Sequence, residues 1–196
     1  MAYYHLTDDT KERLSSLLKE RFPWLLVGLI GGIISTIIVS RFENILSKNI
    51  SLAFFLPMIV YMADAIGTQT ETIYIRNLAK IKHSLPSHGS TSKEGKDNFF
   101  KYLFKEVLIG FTFGIVFGLL MGLFSLFWFK SETIAASVAM AMFINATIAP
   151  VVALSVSEIL FKEHTDPALG GGPFTTIVQD LMSLSIYLLI AALIVF

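Results

Sequence analysis

The chain carries five long apolar runs, and each is long enough to cross a hydrocarbon core of about 30 Å as a helix. They cover residues 23–40, about 52–78, 102–129, about 134–161 and 172–196. Lipid offers no partner for a free backbone N–H or C=O, so only helices or a closed barrel can span it. The short alternating segments of a barrel are absent. Composition agrees: 54% of the 196 residues are apolar and 15% are charged. That is too little charge to cover a soluble domain. The expectation is an all-α integral membrane protein with five transmembrane helices per subunit.

Basic residues orient those helices. With the N-terminus in the cytoplasm, Lys11, Arg13, Lys19, Arg21, Arg76, Lys80, Lys82, Lys93, Lys96, Lys101, Lys105 and Lys162 all lie inside. Only Arg41, Lys48 and Lys130 lie outside. This asymmetry predicts a multi-pass protein of the cell membrane with its C-terminus extracellular. An odd number of spans rules out a simple inverted repeat within one chain. Symmetry along a transport pathway then has to come from two copies.

Residues 1–22 are read as a cytoplasmic amphipathic helix, with Leu14, Leu17, Leu18 and Phe22 on one face and Asp8 and Asp9 near its start. Its plain role is an interfacial lead into the first span; a gating or docking element is the sharper one. No cleavable signal peptide is expected, because the segment lacks a basic region followed by an apolar one. Residues 23–196 are read as the five-helix domain. Within it, residues 83–98, HSLPSHGSTSKEGKDN, form a polar cytoplasmic loop of linker composition.

Several classes of function fall away. Zero net charge makes no case for nucleic acid. With no cysteine there is no disulfide framework, thiolate metal site or thiol nucleophile. His5, His83, His88 and His164 all lie outside the spans, which disfavours a soft-ligand zinc or copper site. No nucleophile and base, and no metal-activated water, is indicated, so an enzyme is not expected.

The informative residues are acids where hydrocarbon should be. Each costs roughly 2.5–3.5 kcal/mol on insertion scales, so each needs a reason. In the second span, Asp64 and Glu71 lie nearly two turns apart, with Thr68 between them, and read as one polar stripe. In the fifth, Thr176 precedes Asp180 by one turn. Asn145 and Glu158 punctuate the fourth span, and Glu106, beside Lys105, is read as interfacial. Carboxylate, hydroxyl and amide oxygens suit a hard divalent cation. Magnesium sheds water reluctantly and is commonly held through its waters by one or two carboxylates. The candidate metal-contacting residues are Asp64, Glu71, Asp166 and Asp180. Two other readings stay open: structural acids, protonated or paired with Arg76 or a lysine, and a proton relay.

Ahead of the fifth span, Pro167, Gly170, Gly171, Gly172 and Pro173 are expected to break or turn the chain, with Asp166 at the cytoplasmic mouth. Asn145 and Pro150 are expected to loosen the fourth helix.

Four stretches together resemble the membrane domain of the MgtE family of magnesium channels and transporters, and its eukaryotic solute-carrier relatives. They are RFPWLLVGLIGG at 21–32, FFLPMIVYMADAIGTQTETIYIRNLA at 54–79, NATIAPVVAL at 145–154 and DPALGGGPFTTIVQD at 166–180. The second carries the most of the likeness, in Pro57, Gly67, Thr68, Gln69, Arg76, Leu78 and Ala79. The resemblance implies a homodimer of five-helix subunits with a pore along the dimer axis, lined mainly by the second and fifth helices. It makes Asp180 the central carboxylate holding a hydrated cation and puts Asp166 near the cytoplasmic entrance. Gly67, Thr68, Gln69, Asn145, Thr175 and Thr176 are the expected lining.

Two departures stand out. Ala63, Asp64 and Ala65 stand where the family usually shows Gly-Gly-Asn, so an amide is lost and a carboxylate gained. Bacterial members also carry a long cytoplasmic sensor that includes paired CBS domains, for which residues 1–22 are too short. Regulation is then expected from a separate cytoplasmic partner, by another route, or not at all. The function expected is conduction of a divalent cation, magnesium first, past acids of the second and fifth helices. The alternative is a proton-coupled exchanger or exporter with Asp64 and Asp180 as relay groups. A non-transporting membrane subunit, in which the acids are dispensable, is the third reading.

Overall fold

A computed structural model describes residues 13–84, 93–162 and 167–195. The described residues are helical almost throughout, with no strand. In chain order they form α1 (Leu14–Arg41), α2 (Glu43–Lys48), a 3-10 turn (Ile50–Phe55), α3 (Leu56–Ser84), α4 (Lys93–Phe129), α5 (Glu132–Lys162) and α6 (Pro167–Val195). Five helices are long and apolar enough to cross a membrane: Leu14–Arg41, Ile50–Asn77, Phe99–Phe129, Glu132–Leu160 and Gly172–Val195. This is the all-α, five-span subunit that the apolar runs predict.

The helices are longer and less broken than their sequence punctuation indicates. Residues 14–22 of the expected N-terminal helix continue into the first span through Pro23, and residues 1–12 of it lie outside the described residues. The polar loop is shorter than 83–98. Helix α3 runs to Ser84 and α4 starts at Lys93, and residues 85–92 lie outside the described residues. Lysine and glutamate are good helix formers, so a span's helix extends readily through such flanks. The triple glycine and Pro173 do not break the chain either, because α6 starts at Pro167 and runs straight through them. Proline at a helix start gives up an N–H that has no partner there in any case. Along the rest, hydrocarbon makes a non-helical backbone costlier than a few glycines in a helix.

Pro150 likewise sits inside an unbroken α5. A proline at this position releases the carbonyl four residues earlier, that of Ala146. Helix α4 sets Gly110 against that same carbonyl: a Cβ there would lie 2.7 Å from Ala146 O and 2.9 Å from Pro150 Cγ. The contact repeats along α4. A Cβ on Gly114 would lie 2.7 Å from Phe143 O, on Gly118 2.9 Å from Ala139 O, and on Gly122 2.8 Å from Ala139 Cβ. Four glycines spaced by four residues thus form a smooth stripe, and α5 lies along it backbone to backbone. Small residues are how membrane helices approach closely, since lipid removes the hydrophobic drive between them. The turn between α4 and α5 is correspondingly tight, with Lys130 in the left-handed region at φ 50°.

Helix α5 is the hub. It is the most enclosed span and packs on α4, α6, α3 and the 3-10 turn. Helix α1 lies at the rim, packs mainly on α6 and buries little of itself. There Gly31 meets Ile177, 2.6 Å from where a Cβ would be. The core at one end of the bundle is Leu52, Phe55, Ile59, Val138, Met142 and Tyr187 with their neighbours. Tyr187 donates its hydroxyl to the Leu52 carbonyl at 2.7 Å, tying α6 to the 3-10 turn. The many exposed Leu, Ile and Phe of α1 and α4 are what a lipid-facing surface requires.

Gly114→Leu should therefore lower stability by about 1–3 kcal/mol, because its side chain meets backbone that cannot step aside. Thermal unfolding in detergent should show a Tm about 5 °C lower for a chain of this size. Gly32→Leu, on an open face of α1 with nothing within 4 Å, should leave Tm nearly unchanged.

Candidate functional site

The polar residues of α3 and α6 meet across one interface. Thr176 donates its hydroxyl to Asp64 Oδ1 at 3.0 Å. Gln179 Nε2 donates to the Ala63 carbonyl at 2.7 Å. Asp180 follows Thr176 by one helical turn, which puts the two acids named from separate spans at the same α3/α6 contact. Asp64, Thr176 and Asp180 are half-buried, while Thr68, Gln69 and Thr72 are exposed. Together they make a polar band on the outside of the helix bundle.

Glu71 behaves differently. The expected stripe of Asp64, Thr68 and Glu71 spans about 60° at 100° per residue, a narrow arc on a free helix. Helix α6 closes over one edge of it. Glu71 is 5% exposed and turns into the bundle beside Thr175. Glu71 Oε1 and Thr175 Oγ1 are both buried without a hydrogen-bond partner. Thr68, at the other edge, stays open. So one stripe in the sequence becomes an open side and a covered side in the fold.

Three lining residues expected from the resemblance are buried instead: Thr175, beside Glu71, and Asn145 and Gly67. Asn145 is buried between α5 and α6, where its Nδ2 donates to the Ser183 carbonyl at 3.4 Å. Gly67 is buried against Gln179 of the same subunit rather than on an open face. Asp166 lies outside the described residues.

Glu106, expected as an interfacial acid beside Lys105, is buried inside the bundle. Lys105 is exposed, but its neighbour Glu106 is buried and accepts a 2.9 Å hydrogen bond from Thr70. One step along a helix turns a side chain by about 100°, which sends one residue of the pair to the outside and the other to α3. Tyr74, one turn after Thr70, donates to Glu158 and stacks on Tyr102 with ring centroids 5.8 Å apart. Hydroxyls of α3 thus tie down one acid of α4 and one of α5. Both acids are held inside the bundle by hydrogen bonds.

The sequence reading missed Gln179, Thr70 and Tyr74. Each carried a signal: Gln179 is an amide within a span, next to Asp180, while Thr70 and Tyr74 are polar groups one helical turn apart, on either side of Glu71. The four glycines of α4 at i+4 spacing were equally visible.

Among the described residues, no three His, Asp or Glu side chains come together closely enough to chelate one ion. The α3/α6 band offers Asp64 and Asp180, which suits a cation that keeps its water shell and needs one or two carboxylates.

Residues 56–190, which include both helices of this band, match the sequence model of the MgtE family, described as a divalent cation transporter. The chain belongs to the MgtE family. A magnesium transporter MgtE of Bacillus subtilis is 32% identical over 186 residues, covering 95% of this chain and 38% of the relative. One from Enterococcus faecalis is 29% identical over 187 residues, covering 95% and 39%. A third, from Thermus thermophilus, is 25% identical over 173 residues, covering 88% and 36%. The chain thus spans a little over a third of the length of these MgtE relatives.

Because Glu106 is held inside and Lys105 is not, the neighbours should respond oppositely to truncation. Glu106→Ala leaves the buried Thr70 hydroxyl unpaired and should cost about 1–3 kcal/mol. Lys105→Ala should stay within about 0.5 kcal/mol of the wild type. Thermal unfolding of both in detergent checks this.

Proposed function

We propose that this chain conducts a divalent cation, magnesium first, across the cell membrane along the polar face of α3 and α6. The observation that carries the reading is the exposed band itself. Asp64, Thr68, Gln69, Thr72, Thr176 and Asp180 sit on spans at the surface of one subunit, where lipid would leave them unsolvated. Acids in that position face water or another protein surface. A second copy set against this face would enclose a water-filled path between two sets of acids, and the dimer is therefore part of the proposal. The name carried by the relatives, magnesium transporter, supports the choice of ion.

Asp180 and Asp64 are the residues expected to attract the hydrated ion. Two carboxylates per subunit supply negative potential without stripping water, and selectivity then depends on how the water shell fits between them. Thr176 holds the Asp64 carboxylate in place through its hydroxyl. Glu71, being covered, acts from beneath the band rather than on the open side. Membership of an ion-transporter family removes the enzyme reading, and Asn145 and Gly67 support the site from within. The excess of basic residues at one set of helix ends supports a cytoplasmic N-terminus.

Two acids on adjoining helices also meet the requirement of a proton relay. Coupled exchange would make divalent flux follow the proton gradient, whereas a passive pore follows only voltage and the ion's own gradient.

In proteoliposomes, Asp180→Ala should cut magnesium flux by at least about tenfold, with the protein still folded. Wild-type flux in that variant ends the pore assignment. Asp64→Asn should shift the ratio of magnesium to calcium flux a few-fold and change stability little. A flux panel over several divalent ions at two pH values distinguishes pore from exchanger.

A further inference from the structure

We infer that Gln179, seated in the gap left by Gly67, is a positioning residue that fixes the spacing of Asp64 and Asp180 and thereby the discrimination among divalent ions. The inference rests on the cation pathway proposed above. Gln179 is 2% exposed and immediately precedes Asp180; the carbonyl it binds, Ala63 O, belongs to the residue immediately before Asp64. The amide therefore joins the two helices one residue away from each acid. The pairs Leu52–Tyr187, Ala63–Gln179 and Asp64–Thr176 run in opposite directions along the chain, so α3 and α6 are antiparallel. In such a pair, sliding one helix by a single residue displaces its acid by about 1.5 Å relative to the other. The Tyr187 bond fixes the register at one end, and the Gln179 bond fixes it beside the acids.

Gly67 makes this possible. A Cβ on residue 67 would overlap the Gln179 amide, colliding with its Oε1, Cδ and Nε2. With glycine there, the amide crosses α3 and reaches Ala63 without having to move aside. The arrangement also has a cost that packing alone does not explain. Gln179 Oε1 is buried with no hydrogen-bond partner, and an isosteric apolar side chain would fill the space without that loss. Features that break a local rule cluster at functional positions. What a glutamine provides here, and a methionine does not, is the donated bond to a fixed carbonyl.

Spacing matters because magnesium holds a rigid octahedral shell, while calcium accepts variable numbers of oxygens. A pair of acids set for one hydrated ion loses its advantage when it slips. Gln179 touches neither ion nor water shell in this account; it acts through the acids.

The test uses the whole chain in proteoliposomes. Gln179→Met keeps the volume and removes the donor. It should raise the half-saturating magnesium concentration about tenfold, narrow the magnesium-to-calcium ratio and keep maximal flux per folded protein. A purely packing role predicts unchanged half-saturation and selectivity, and that result overturns the inference. Gly67→Ala should impair the wild type but add nothing in a Gln179→Ala background. Additive effects would show that Gly67 does not seat Gln179, and would also overturn it.

A transport-free reading separates this inference from the function itself. The chain has no cysteine, so Asp64→Cys with Thr176→Cys gives a clean crosslinking pair across the site. Adding Gln179→Met should lower the yield several-fold with a short bifunctional thiol reagent, while unchanged yield refutes the lock. A wild type that passes no divalent ion, together with the lowered yield, would defeat the proposed function and leave the lock standing as a register device without an ion to select.

Discussion

Hydrocarbon gives a polar group no water to fall back on, and most of this structure follows from that. Every acid in a span must find a donor or a path to water. Glu106 and Glu158 find donors in Thr70 and Tyr74, and in doing so they tie α4 and α5 to α3. Asp64 finds Thr176 but stays half-open, and Asp180 stays half-open beside it. The constraint leaves the acids in different settings. Glu106 and Glu158 are bonded between helices, Glu71 is covered with its Oε1 unbonded, and Asp64 and Asp180 stay half-open.

Close packing of the helices makes these settings possible. The glycine stripe of α4 brings its backbone against α5, which puts Glu106 near enough to α3 to be used from inside. Gly31 and Gly67 do the same for α6, one on each flank, admitting Ile177 and Gln179. A bulkier α4 would hold the bundle apart and leave buried polar atoms without partners. Pro150 fits this logic: the carbonyl it releases faces a glycine rather than a side chain. Glycine and proline here act as spacing elements more than as helix breakers.

That difference explains what was legible in the sequence. Span number, helical class and the two key acids follow from apolar run length and from charge in the wrong solvent, both of which are one-dimensional. The break expected at Gly170–Gly172 and Pro173 did not appear, because turn rules derived in water understate the cost of free backbone in lipid. Which side of a helix is covered was harder. Asp64, Thr68 and Glu71 share an arc in sequence, yet where α6 crosses that arc decides that Glu71 goes in and Thr68 stays out. Asn145 and Gly67 turned inward for the same reason. Crossing positions depend on small residues on the facing helix, and periodicity in one segment does not contain them.

Asp64 is the residue at which these points meet. It stands where the family resemblance leads to an expectation of Gly-Gly-Asn, and it accepts the Thr176 hydroxyl where α3 and α6 meet. A carboxylate added at such a place needs its neighbours fixed, since the energy between like charges varies steeply at short separation. Thr176 restrains the side chain and Gln179 restrains the backbone one residue earlier. An added charge held by both its side chain and its main chain is what the proposed pathway asks of Asp64. A surplus acid tolerated at the lipid boundary would need neither restraint.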